Sequence, residues 1–502
     1  MTLFSFRRNI SSEQAVGAGV RSAAQREVYV SLSPALFSAL SAAVFVVGLG
    51  TAGADPSRQS VLLEGVPHIH QKPDFCGEAC VAMYLQHRGS GADQDAVFDL
   101  TGVDPTEGRG AYTPELASAL KALGITPGLV WHEVDAQRPR PGLELIWQDL
   151  LRDLTRGVPS LVCMHFDSQP DATEHFRLIL GYDHQRDQVI YHEPADAQGA
   201  YQRMPREQFL ALWPLKYEKD RWTVIRFALQ GRRLKTVRPS ATRTGADYAQ
   251  HILALRKTLP KGFTVVVREP FVIIGDEAPA MVARRAKKTV TWAVKHLEKS
   301  YFERPPKDIL NIWLFRDEKS YRTNAKRLLG HTPDTPYGYY SPSAKALVMN
   351  IATGGGTLVH EIVHPYMEAN FPDVPAWFNE GLGALYEQSS ERDGRIVGLT
   401  NWRLAGLQKL IRSGDLPSFK TLMSTTERQF YREDTGDNYA QARYLLYALQ
   451  ERGLLREYFH AFLRNRRVDP TGYETLKQVL GVTDLAAFRA TWEKETLALT
   501  FQ

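Results

Sequence analysis

The amino-acid sequence predicts an α+β protein of two domains, and three observations carry that expectation. The chain has 502 residues, too many for one ordinary core and enough for two. In the first half, helical stretches at 77–86, 113–123, 143–156 and 206–213 alternate with short β-rich runs at 160–164, 177–182, 188–192 and 222–227. The second half opens with strand-like runs at 263–267 and 271–275, a helix over about 278–301, a strand at 309–315 and a helix at 319–329. Further β-like runs at 337–340 and 346–350 lead to a glycine triplet at 354–356, after which the sequence is almost wholly helical. A mixed sheet should therefore precede a helical lobe.

Between the halves, Q-G-R-R-L-K-T-V-R-P-S-A-T-R-T-G-A is basic and lacks apolar periodicity, as an exposed linker does, so the domains are expected at 60–230 and 251–502 with a linker at 231–250. Composition places the chain among globular proteins, with 43% hydrophobic and 23% charged residues and no internal repeat. A formal charge of +5 over such a length is no nucleic-acid signature. Arg7, Arg8, Arg21 and Arg26 precede a charge-free apolar run at 35–50 that ends in Ala52-Gly53-Ala54. This reads as a signal peptide over 1–54, cleaved after Ala54, and implies an exported protein, periplasmic or secreted. A membrane contact is expected only if that segment stays uncleaved. The three cysteines, Cys76, Cys80 and Cys163, are too few for a disulfide scaffold, and their odd number leaves at least one free thiol.

The chemistry concentrates in two places. In T-L-V-H-E-I-V-H (357–364) the two histidines lie four apart, on one helix face and one turn from each other, where they can share an ion. Glu361 sits beside the first, where its carboxylate can take a proton from a metal-bound water. Catalytic zinc needs a third protein ligand and an open position. The later helix W-F-N-E-G-L-G-A-L-Y supplies Glu380 as that ligand, giving one zinc ion held by His360, His364 and Glu380. These residues, with Gly381 after the glutamate, resemble the peptidase MA gluzincins over about 263–450. The resemblance implies that 346–350 is the sheet edge on which a peptide substrate would pair as an added strand. It further implies an oxyanion donor beyond the ligand helix, for which Tyr439 is the candidate.

The second place is V-P-H-I-H-Q-K-P-D-F-C-G-E-A-C, which runs extended and turns into a helix at Cys76. A thiol there has its pKa lowered by the helix N-terminus. Gln71 could add an oxyanion donor beside the amide of Cys76. A base must come from elsewhere: His175 heads an apolar strand, and Glu193, before Pro194, could orient its imidazole. In this order the residues resemble the papain-like cysteine peptidases of the bacteriocin-processing family, over most of 64–215, with Glu193-Pro194 where that family has Asp-Pro. The reading is an exported peptidase acting on peptide or protein substrates through a zinc-activated water in a gluzincin domain, preceded by a papain-like domain. The rivals are a peptide-binding envelope scaffold built from inactive peptidase folds and a peptidoglycan amide hydrolase.

Overall fold

The computed structural model describes residues 59–231, 233–432 and 436–501, so the expected signal peptide lies outside the described residues. The chain divides into two compact units, Met1–His70 with Gly124–Leu234, and Gln71–Leu123 with Lys235–Gln502. Each unit is thus discontinuous in sequence, where the sequence reading expected one boundary at 231–250. That stretch is also more than a linker. Lys235 N donates to Leu123 O, and a helix, Gly245–Arg256, begins within it, capped by the Thr244 side chain.

In the first unit, seven strands form one sheet among the described residues: β1 (Val61–Leu62), β2 (Trp131–Asp135), β3 (Ser160–His165), β4 (Glu174–Asp183), β5 (Gln188–His192), β6 (Gln202–Pro205) and β7 (Arg221–Ala228). The order is β2-β7-β3-β4-β5-β6, with β1 on β4 and every pairing antiparallel. At Gly181 a Cβ would meet Val61 O at 2.5 Å, so only glycine lets β1 come that close. The helix Pro139–Thr155 buries Leu143, Ile146, Trp147, Leu150, Leu151 and Leu154, an i, i+3, i+4 stripe. That stripe packs with Val162, Met164, Ile179 and Val189 of the sheet. β1, β2 and β6 are additions to the predicted strands. All three are short, and β2 is largely exposed, so none carries a strong alternation.

The second unit holds β8 (Thr264–Arg268), β9 (Phe271–Gly275), β10 (Leu310–Phe315), β11 (Gly338–Ser341) and β12 (Ala346–Asn350) in the order β11-β12-β10-β9-β8. β10 is parallel to β9 and β12, and the two outer pairings are antiparallel. The mixed sheet is as predicted, but the edge is not. Ala346–Asn350 lies inside the sheet between β11 and β10, and Gly338–Ser341 is the outermost strand. Both faces are covered: Phe271, Ile273, Ile312, Leu314, Leu347 and Met349 join one core cluster, while their alternates Val272, Ile274, Trp313, Phe315, Ala346 and Val348 join another. The predicted helix over 278–301 is present but changes pitch, with a π-helical segment at Ala286–Thr291. The helical lobe follows, interrupted by a hairpin of β13 (Ser389–Arg392) and β14 (Arg395–Gly398). Asp393 and Gly394 turn it, both at positive φ.

Candidate functional site

Two helices of the second unit carry the metal constellation. The histidine helix, Gly356–Asn370, buries its apolar residues in the main core and presents His360, Glu361 and His364. The glutamate helix, Ala376–Leu385, carries Glu380. Their approach depends on two glycines. A Cβ on Gly356 would stand 1.9 Å from the carbonyl oxygen of Glu387, and one on Gly383 would stand 3.0 Å from Nε2 of His360. Backbone therefore meets backbone at the first, and the imidazole lies directly on the helix at the second.

Nε2 of His360 is 3.1 Å from Oε2 of Glu380, and Nε2 of His364 is 3.8 Å from Oε1. One ligand atom from each of the three residues falls within 4.8 Å of the others. Their other ring nitrogens face acceptors. Nδ1 of His364 is 3.1 Å from Oδ1 of Asn379, which can only accept and so keeps the proton on Nδ1. Oε1 of Glu387 stands 3.3 Å from Nδ1 of His360, at ion-pair distance though out of line for a hydrogen bond. Glu387 is itself fixed by Arg403, at 2.8 and 3.0 Å, and by Asn401 at 3.1 Å. Zinc-binding histidines are ordinarily oriented in this way, by a carboxylate or carbonyl on the far nitrogen.

Burial pushes the Glu380 carboxyl up, but the charge of His364, the hydrogen bond and charge of His360 and the Tyr431 hydroxyl outweigh it and hold the group at about 2. Glu387 is likewise held at about 2, against burial, by His360 and Arg403. Burial opposes a charge on His360, yet Glu380, Glu387 and Glu361 raise its pKa well above the ordinary value. Three carboxylates, each at most 8% exposed, thus stand beside two imidazoles, with Arg403 paired to Glu387. Two imidazoles and a carboxylate are a suitable donor set for zinc.

The site opens on a cleft of about 610 Å³ lined by Tyr339 and Tyr340 of β11 together with Glu368, Tyr431 and Tyr439. Tyr439, the proposed oxyanion donor, borders this cleft, and its hydroxyl interacts with Glu380. Sequence reasoning missed Tyr431, whose hydroxyl donates to Oε1 of Glu380 at 2.7 Å. It also missed Asn379, Glu387 and Arg403. Asn379 was legible as the neighbour of Glu380, whereas Glu387 and Arg403 reach the site only through tertiary packing.

Of the thiol constellation, Cys76 opens the helix Cys76–His87 and is partly exposed, while Cys80 and Cys163 are buried. The loop beside that helix is pinned by Asp74, which accepts from Gly110 N at 2.9 Å, and by Glu78, which accepts from Ala111 N at 2.7 Å. Oε1 of Gln71 is buried with no hydrogen-bond partner among the described residues. Cys76 and Gln71 fall in the second unit, and His175 and Glu193 in the first. There, His175 stands near the start of β4, and its Nε2 bonds Oε1 of Glu193 just past the end of β5. Nδ1 is the ring nitrogen left over for a proton. Burial raises the Glu193 carboxyl, but the bond and charge of His175, the charge of Arg177 and the Ala195 amide outweigh it and bring it to about 2.

Residues 63–220 match the Peptidase_C39 like family. The matched segment coincides with the one in which the thiol motifs were read. Among solved structures, the peptidase domain of Streptococcus ComA, a bifunctional ABC transporter of a quorum-sensing pathway, is 20% identical, with 32% of this chain and 97% of that one covered at a TM-score of 0.21. A double-glycine motif protease from an AMS/PCAT transporter, in complex with its leader peptide, is 17% identical, with 34% and 99% covered at a TM-score of 0.22. No curated protein matches the chain. Among the described residues, no helix is long and apolar enough to cross a membrane.

Proposed function

We propose that the second unit is a zinc peptidase centre of the gluzincin kind, in which His360, His364 and Glu380 hold one ion and Glu361 is the general base. The observation that carries this reading is that one ligand atom from each of His360, His364 and Glu380 lies within 4.8 Å of the others, with Nδ1 of both histidines facing an acceptor. Bound zinc would supply a water of lowered pKa and polarise a substrate carbonyl. The chain's own residues do the rest. Oε2 of Glu361, 3.8 Å from Nε2 of His364, is positioned to take a proton from a water in the cleft and pass it to the leaving amine. Tyr439 is the candidate donor to the oxyanion, and Tyr431 holds Glu380 in its orientation. The outer edge of β11, not β12, would offer its backbone to an extended peptide, which suits peptide or protein substrates.

Metal analysis by mass spectrometry on the purified chain, paired with peptidase assays before and after chelation, tests this. About one zinc per chain, with activity lost on chelation and restored by zinc, is expected; zinc-free protein that stays so on incubation with zinc sinks the reading. Glu361→Gln should keep the metal and lose turnover, whereas Glu380→Ala should lose the metal.

The family match favours a second reading for the other constellation, a cysteine-type peptidase with Cys76 as nucleophile, His175 as base, Glu193 as its orienting carboxylate and Gln71 as oxyanion donor. Cys76 should then alkylate faster than Cys80 or Cys163 near neutral pH, and a chelator-resistant activity should disappear in Cys76→Ser. We assign both activities to an exported protein, on the strength of the N-terminal sequence. A panel of proteins, peptides and peptidoglycan fragments separates a protein peptidase from an envelope amide hydrolase, and binding without cleavage of any of them would indicate a scaffold.

A further inference from the structure

We propose that Arg177 is a positioning residue that anchors Glu193 and so lets a glutamate orient His175 where the resembling family uses an aspartate; this rests on the cysteine-peptidase reading of residues 63–220. His175 and Arg177 are two apart on β4 and therefore point to the same side of the strand. β5 runs alongside, pairing His192 with Leu178, so Glu193 arrives next to both. Its two carboxylate oxygens are divided between them. Oε1 takes Nε2 of His175 and the amide of Ala195, the latter at 3.0 Å. Oε2 takes Nε of Arg177 at 2.6 Å.

Arg177 is itself immobilised. Its terminal nitrogens donate to the carbonyls of His165 at 3.2 Å and Phe166 at 2.8 Å, at and just past the end of β3. The Phe166 ring lies 5.5 Å from the guanidinium carbon and packs edge-on against His175 at 5.1 Å. Side-chain exposures of 5% for Arg177, 6% for His175 and 11% for Glu193 leave little room for another arrangement. A glutamate alone has one more rotatable bond than an aspartate and would hold an imidazole loosely. With its second oxygen tied to a rigid, backbone-anchored guanidinium, that freedom is gone, and the proton stays on Nε2 with Nδ1 open.

The test is a double-mutant cycle in the full chain with Arg177→Met, Glu193→Asp and the pair, together with Arg177→Lys. Two readouts are used: imidazole ¹⁵N shifts of histidine-labelled protein, with the His175 signal assigned by its loss in His175→Asn, and thiol-dependent kcat and KM. Arg177→Met should move the His175 signals toward a mixture of tautomers and lower kcat at least about ten-fold with KM little changed. Arg177→Lys should restore part of both. Glu193→Asp should be impaired beside Arg177, because the shorter side chain cannot reach arginine and imidazole together, yet cause no further loss once Arg177 is methionine. Unchanged His175 signals in folded Arg177→Met, or equal effects of Glu193→Asp in both backgrounds, would overturn the proposal. If the wild type shows no thiol-dependent turnover but the shifts couple as described, the peptidase reading falls while the anchoring stands.

Discussion

Gly383 shows how much of the proposed metal site rests on a side chain that is missing. A methyl group there would press on Nε2, Cδ2 and Cε1 of His360 at 3.0–3.1 Å, so the ring must move by a few tenths of an ångström or the helices must part. We predict that Gly383→Ala folds but binds zinc about ten-fold or more weakly, read by competition with a chromogenic chelator. Glu78 makes the opposite case, a side chain where burial is costly. It is fully buried, and burial, reinforced by Asp74 and Glu115 and opposed by the Ala111 amide, pushes its pKa from 4.5 up to about 8. The folded protein then holds a proton that the unfolded chain releases, so this group's contribution is intact below about pH 4.5 and is lost as pH rises through 8. Thermal melts should accordingly show Glu78→Gln gaining on the wild type between pH 5 and pH 8. The sequence revealed His360, Glu361 and His364 because one helical turn relates them, and Glu380 because its helix has a recognisable neighbourhood. Glu387 was invisible, since it meets His360 only where Gly356 lets two backbones touch. Arg177 was closer to hand, being two residues from a suspected base on an alternating strand.

At the scale of elements, the glutamate helix is held from its C-terminal end. Arg443, fully buried on the helix Asp437–Glu451, donates to the carbonyl of Ala384 at 2.9 Å and to that of Leu399. A buried cation there satisfies carbonyls that the helix leaves unpaired. Burial depresses its own pKa to about 10, against the charges of Tyr444 and Glu387. We predict that Arg443→Met loses about 2–4 kcal/mol of stability in denaturant melts and also weakens zinc binding, whereas an exposed change such as Arg412→Met does neither. Elements with strong apolar runs were legible throughout: β9, β10 and β12 read directly from sequence because they are buried on both faces. Which strand formed the edge was not legible. Gly338–Ser341 is short, and its place outside Ala346–Asn350 follows from antiparallel pairing that sequence period alone does not encode. The hairpin β13–β14 escaped notice for lack of apolar pattern, although Asp393-Gly394 was its turn signal.

For the whole molecule, the expected cut between domains falls in a costly place. The helix Gly245–Arg256 carries Tyr248 and Ile252, both in the core under the mixed sheet. The same helix is tied to the earlier segment: Ala246 N donates to Asp99, Gln250 to the Pro73 carbonyl and Arg256 to the Thr106 carbonyl. A fragment of 251–502 should therefore melt well below the full chain, and a fragment with the same melting temperature would contradict this division. The sequence could not reveal it, because a return crossing leaves no compositional trace. The discontinuity also has a consequence in time. On the ribosome, Gln71–Leu123 emerges before all of the residues Gly124–Leu234 and its own partners only after them. At about 5–20 residues per second that is a wait on the order of ten seconds. Throughout it the newborn segment has only its own contacts, such as those of Asp74 and Glu78 with the amides of Gly110 and Ala111, and must wait for the helix Gly245–Arg256 to cover it.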